Sequence, residues 1–165
     1  MSMIGNLLRV TKTELDNYLV DSSLLEERIY KEVEGSDNAL VDLDKSWDGI
    51  IFLLTGQSLA NATHPLVRTL FSGQLIDEEQ DLGYGPAHYL TPEEVAELNQ
   101  QISGIQVSDL KQKYDPAKMT ELEVYPTIWD EGDDAFTYLA DGFKTLQKIY
   151  AEATKNGEAI ITFLN

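Results

Sequence analysis

Leu43-Asp44-Lys45-Ser46-Trp47-Asp48-Gly49-Ile50-Ile51-Phe52-Leu53-Leu54-Thr55-Gly56 is the stretch whose reading decides the fold. Asp44 or Ser46 can open a helix by accepting a backbone N–H, and Gly56 can close it in the left-handed conformation that glycine takes cheaply. Between them Trp47, Ile50, Ile51, Phe52, Leu53 and Leu54 are apolar on nearly every side. That pattern describes a helix buried against several neighbours. The rest of the chain is expected to cover it.

Working upstream, residues 4–10 read as a first strand. Thr11 and Glu14 have capping-box spacing for a short helix through Leu19. Ser23 and Glu26 repeat the spacing, for a helix to about Glu34 that Gly35-Ser36-Asp37-Asn38 breaks; residues 39–43 form a connector or strand. Downstream, His64-Pro65 opens a helix over 65–71 that Gly73 stops, and 74–76 reads as a strand. Asp77-Glu78-Glu79-Gln80-Asp81 is a charged turn. Gly83-Tyr84-Gly85-Pro86 forces an unusual path before Thr91-Pro92-Glu93-Glu94 opens the best-marked helix, to about Ile102. Residues 108–114 and 116–121 read as two shorter helical pieces, and Val124-Tyr125-Pro126 is extended. From Asp133 to about Asn156, Phe136, Leu139, Phe143, Leu146, Tyr150 and Ala153 recur at alternating steps of three and four, one packed stripe. Gly157 ends it, and residues 159–164 close the chain as a strand able to pair with the first. Few strands, many helices and no strand–helix alternation indicate an α+β fold in a single domain over 1–165.

Charge sets the class of partner. The 165 residues carry 29 acids against 12 bases, a net −17, beyond the magnitude of about 2–8 that keeps a small domain soluble. Such a field repels phosphate backbones and anionic lipid, so we expect neither nucleic acid nor membrane as partner, and favour a basic protein or a cation. The absence of cysteine removes disulfides, thiolate catalysis and zinc ribbons, and fits a reducing compartment. The start lacks a basic leader and a small-residue cleavage site, and no apolar run approaches the ~20 residues of a membrane span. The reading is a cytoplasmic protein without a cofactor.

No catalytic or metal-binding signature stands out. His64 reads as a loop or capping residue. His88, between Tyr84 and Tyr89 in the glycine-rich loop, is better placed for a site but lacks a nucleophile motif nearby. Asp44 and Asp48 lie one helical turn apart and could hold a cation or act as a carboxylate pair; the plainer account has Asp44 capping, Asp48 exposed and Trp47 in the core. Trp129-Asp130-Glu131-Gly132-Asp133-Asp134 places carboxylates just before the last helix, where Asp133 or Asp134 suits the helix dipole and Asp130 and Glu131 remain unexplained. With residues 77–81 they make two acidic segments, readable as solvated turns or as a face for a basic partner. Tyr84, Tyr89, Tyr125, Trp129 and Tyr138, in or beside loops, could supply aromatic contacts. Gly83-Tyr84-Gly85 lacks the strand and third glycine of a dinucleotide fingerprint.

Leu43-Asp44-Lys45-Ser46-Trp47-Asp48-Gly49, Phe52-Leu53-Leu54-Thr55-Gly56, Gly83-Tyr84-Gly85-Pro86, Tyr89-Leu90-Thr91-Pro92-Glu93-Glu94-Val95, Tyr125-Pro126 and Ile128-Trp129 together resemble, in order along the whole chain, the bacterial YfbM-like family, a domain-of-unknown-function family. The resemblance implies a single α+β domain and no activity. It departs at Ile51, where members can carry histidine, and at His88, where the loop often ends in arginine. Lys45, Trp47, Asp48, Tyr84, Tyr125 and Trp129 match, and would surround any shared cleft.

Two readings compete. In the first, the protein is an acidic module, inhibitor-like or immunity-like, that binds a basic protein: Asp130, Glu131 and the 77–81 turn steer association, and Tyr84 or Trp129 anchors it. In the second, a cleft near Trp47, Asp48, Tyr84 and His88 binds a small ligand or acts as an enzyme, which requires Asp48 to leave solvent and meet His88 or Tyr84. A purely structural Asp48, bonding a loop onto the central helix, stands equal to this second reading.

Overall fold

The computed structural model describes residues 2–31, 38–130, 132 and 134–165. The expected break at Gly35-Ser36-Asp37, the partner contact at Glu131 and the cap at Asp133 lie outside the described residues. Strands β1 (Gly5–Val10) and β4 (Ala159–Leu164) pair antiparallel from Gly5 opposite Leu164 to Val10 opposite Ala159. Two short edge strands, β2 (Leu40–Asp42) and β3 (His88–Leu90), complete the order β2-β1-β4-β3, with every pair antiparallel. The two ends of the chain therefore form the centre of the sheet, as the terminal strand patterns suggested.

Side-chain alternation sends the central strands to two cores. Leu7, Ile160 and Leu164 join one core, while Leu8, Val10, Ile161 and Phe163 join the other. On the second face lie α1 (Lys12–Val20), α2 (Ser23–Ile29) and the loop carrying Ile76, Leu82 and Ala87. On the first lie α3 (Trp47–Thr55), α4 (Pro92–Ile102), α5 (Val107–Lys113), α6 (Pro116–Glu121) and the long α7 (Asp134–Asn156). The fold is α+β.

Helix α3 is the buried element its sequence announced: Trp47 through Leu53 are all buried. It approaches α7 at two glycines. A Cβ on Gly49 would collide with Leu139 Cδ2, and one on Gly142 with Ser46 Oγ. Both capping boxes at Thr11/Glu14 and Thr91/Glu94 form, and Gly56 ends α3 at φ 75°. Four local expectations need correction. Neither Asp44 nor Ser46 caps α3 through its side chain: Ser46 Oγ donates to Leu43 O at 2.6 Å, and the Asp44 carboxylate turns to Tyr138. Ser23 is already inside α2, where Asp21 Oδ1 accepts its N–H at 3.1 Å, and the helix ends at Ile29. Residues Pro65–Thr69 form a 3-10 helix, tightened by His64 Nδ1 accepting the Leu66 N–H at 3.1 Å. The expected strand at 74–76 is one bridge, Leu75 to His88.

Candidate functional site

Asp48 sits in the first turn of α3 and is 5% exposed. Its Oδ1 accepts the Leu59 N–H at 2.7 Å, and its Oδ2 accepts the Tyr125 N–H at 3.0 Å. One carboxylate thus clamps the 3-10 turn Leu59–Asn61 and the 124–128 turn onto the central helix. Burial raises its pKa, and the two amides partly oppose that rise. The exposed Asp48 of the plainer account is corrected: helical spacing assigns a face, and two loops cover that face. Asp44 shares no ligand geometry with it, because Asp44 precedes the helix in the left-handed region at φ 51°. Among the described residues no group of three or more His, Cys, Asp or Glu is placed to hold a metal.

Aromatic rings extend from this clamp in a row. Trp47 stacks on Tyr125 with centroids 5.4 Å apart and meets the edge of Phe71 at 5.7 Å; Phe71 in turn meets His88 at 5.4 Å. The ends of Trp47 and Tyr125 grip Met3, whose carbonyl accepts the indole N–H and whose amide donates to the phenol oxygen, each at 2.9 Å. Trp129 is 1% exposed and donates from Nε1 to Val124 O at 2.7 Å. Trp129 is therefore a core residue, and as an anchor for a partner it is corrected. His88 Nδ1 accepts the Gly73 N–H at 3.1 Å, and burial lowers its pKa, so the ring stays neutral at physiological pH. Among the described residues neither His88 nor Tyr84 bonds to Asp48. The four residues of the expected cleft are divided between a loop clamp, an aromatic row and, at Tyr84, an exposed turn.

A cavity of about 390 Å³ opens beside the clamp, lined by Asp44, Lys45, Pro126, Ile128 and Tyr138. The Tyr138 hydroxyl donates to Asp44 Oδ2 at 2.6 Å and accepts the Lys45 N–H at 2.8 Å. Burial, then the bond to Asp44, raises the phenol pKa, so Tyr138 remains a donor. The opposite wall is the turn holding the cis Tyr125–Pro126 bond, with Thr127 at φ 67°.

The second acidic segment is built differently. Asp77 accepts from Ser22 Oγ at 2.7 Å and from the Glu79 N–H at 3.0 Å, and these bonds hold its carboxyl below the usual range. Asp81 Oδ1 accepts the Gly83 and Gly85 N–H groups at 2.9 and 3.1 Å, with the same effect. Gln80 is buried and donates to Ser22 O at 2.9 Å. Asp77 and Asp81 thus shape the turn, leaving Glu78 and Glu79 exposed on it. Of the large apolar and aromatic side chains exposed among the described residues, Leu19, Val20, Leu24, Tyr30 and Tyr84 stand on this layer and Leu75 borders it; Val107 alone lies elsewhere. Tyr30, 61% exposed, reaches the turn through its hydroxyl, which donates to Leu82 O at 3.4 Å. Asp130, exposed, belongs to the opposite layer, since Trp129 packs in the core of α3 and α7.

The model of a family described as "Domain of unknown function (DUF1877)" matches residues 1–163. The chain belongs to this family. Among curated proteins none matches it. The fold of this DUF1877 member is similar to the crystal structure of YfbM from Escherichia coli, a protein of unknown function, with a TM-score of 0.77 over 98% of this chain and 99% of that chain at 17% identity. The residues that carry the YfbM-like resemblance now have a physical account. Trp47, Asp48, Tyr125 and Trp129 together fix the 124–129 turn on α3, Lys45 borders the adjoining cavity, and Tyr84 lies apart. Sequence reasoning missed Tyr30 and Phe71. Phe71 read as a helix end and Tyr30 as one more helical residue; no local pattern marks either.

Proposed function

We propose that this DUF1877 protein is a cytoplasmic binding module for a basic protein, docking through the layer of α1, α2 and the 77–85 turn. The observation that carries the reading is the gathering of exposed Leu19, Val20, Leu24, Tyr30 and Tyr84 on the layer that also presents Glu78 and Glu79. Solvent-facing apolar side chains concentrated on one side mark interaction surfaces, and tyrosine supplies contact area at small entropic cost. The turn is already ordered by the bonds of Asp77, Gln80 and Asp81, so little ordering entropy opposes binding. The net −17 speeds encounter with a basic partner, an effect that weakens with salt. Asp130 contributes to the overall field from the far side of the sheet and is not part of the docking face.

The test is capture on the immobilised protein, in low and high salt, beside a Glu78→Gln, Glu79→Gln variant. A basic protein held in low salt and lost from the variant supports the module. Retention that ignores both salt and these substitutions refutes the proposed face.

A further inference from the structure

The cavity beside the Asp48 clamp lies across the sheet from the proposed docking layer, so what it holds is a separate question. Three features of its wall select a ligand. Asp44 and Lys45, consecutive in the chain, give the lining one side chain of each charge. Among the described residues the Lys45 ammonium has no hydrogen-bond or ion-pair partner, and Asp44 Oδ1 accepts nothing, its Oδ2 being taken by Tyr138. Pro126, Ile128 and the Tyr138 ring supply an apolar remainder. The volume of about 390 Å³ is at the small end of the ~300–1,000 Å³ usual for ligand pockets.

A simple anion would meet Lys45 but also Asp44, with Asp42 close behind in a protein of net −17. A simple cation, including a lysine or arginine side chain, would meet Asp44 but also Lys45. A ligand carrying both charges a few bonds apart satisfies both. We propose that the cavity binds a small zwitterion, an α-amino acid with an apolar or aromatic side chain. Its ammonium bonds Asp44 Oδ1, its carboxylate bonds the Lys45 ammonium, and its side chain rests on Pro126, Ile128 and the Tyr138 face. The wall is held in place before binding. The Asp44 amide donates to Asp42, its carbonyl accepts the Gly5 N–H at 3.0 Å, and Tyr138 ties its carboxylate to the Lys45 backbone. Preorganisation of this kind lowers the cost of binding.

Titration calorimetry on the full chain, with L-phenylalanine and L-leucine beside phenethylamine and 3-phenylpropanoate, reads the proposal directly. Each amino acid is expected to bind saturably, and each singly charged analogue about tenfold more weakly, the loss of one charge-assisted bond. Lys45→Gln should erase the difference between phenylalanine and phenethylamine, and Asp44→Asn that between phenylalanine and 3-phenylpropanoate. Asparagine tolerates the left-handed backbone of Asp44, so the second variant should keep the fold; melting temperatures of both variants check this. No saturable binding of either amino acid overturns the proposal. So does phenethylamine binding as well as phenylalanine, which would make the cavity a receptor for basic side chains, or folded variants that bind unchanged.

Discussion

Removing the Asp48 carboxylate should destabilise the fold by leaving two backbone amides without their acceptor. In Asp48→Ala the half-buried Leu59 and Tyr125 amides, now bonded at 2.7 and 3.0 Å, lose an acceptor that is itself only 5% exposed. Each buried amide left unpaired costs about 1–3 kcal/mol, so the pair costs about 2–6, and relief from holding a buried carboxylate offsets part of that. The expected loss is about 3 kcal/mol. Asp48→Asn keeps one acceptor but turns an N–H₂ toward the other amide, and should lose about half as much. Urea unfolding followed by the fluorescence of Trp47 and Trp129 measures both. Hydrogen exchange supplies the local readout, with Leu59 and Tyr125 amides becoming unprotected in the alanine variant before the central strands do. A loss below about 1 kcal/mol, with those two amides still protected, would refute the clamp. Acidity gives a second handle of definite sign. The fold raises the Asp48 pKa above its ordinary 3.8, so the folded state binds the proton more tightly than the unfolded chain. The carboxylate's cost therefore appears as pH rises through and above 3.8, and Asp48→Asn should remove that fall in stability.

Glu94 should show the opposite slope. Desolvation raises its pKa, but bonds from Gln74, the Thr91 amide, Arg68 and the Thr91 hydroxyl outweigh it and hold the group at about 2, against 4.5 ordinarily. Its stabilisation is complete above about 4.5 and lost as pH falls toward 2, and acid titration of Glu94→Gln should lack that component. Thr91→Ala, by opening the capping box of α4, should cost about 1 kcal/mol in urea unfolding. Gly49→Ala should lower stability by about 1–3 kcal/mol, because its Cβ meets Leu139 and Trp129 in a packed helix crossing; a variant as stable as the parent would show that α3 and α7 can separate freely. Tyr84→Ala should speed release of a captured partner more than it slows capture, measured by dissociation from the immobilised protein.

Much of the fold was legible because its signals are local. Thr11 with Glu14, Thr91 with Glu94, and Gly56 set helix ends through neighbours three or four residues away, and the stripe from Phe136 to Ala153 set α7. Pairing of the terminal strands followed from their apolar runs. What escaped depends on distant contacts. The plainer account left Asp48 exposed because periodicity gives a face and not what covers it; the structural reading, a loop bonded onto the central helix, matches the bonds found, but its partners lie 11 and 77 residues away and no local pattern names them. Trp129 sits in a run of carboxylates that reads as a surface turn, yet its ring fills the space over Gly49. The two acidic segments looked like halves of one surface. Which side of the sheet each joins is set by Trp129 packing in one core and Ile76 and Leu82 in the other, and neither segment's own sequence states that. Asp77 and Asp81 looked free to meet a partner, but Asp77 accepts from Ser22 and the Glu79 amide and one Asp81 oxygen accepts from the Gly83 and Gly85 amides.

The docking layer is the central claim, and one comparison of three baits tests it most directly. The parent protein, Glu78→Gln with Glu79→Gln, and Asp130→Asn are immobilised side by side, exposed to lysate of the source cells in low salt and then washed in high salt, with retained proteins quantified by mass spectrometry. We predict a basic protein retained by the parent and by Asp130→Asn, released by salt and absent from the Glu78/Glu79 variant. Loss from Asp130→Asn with retention by the Glu78/Glu79 variant, or equal retention by all three, would contradict the account.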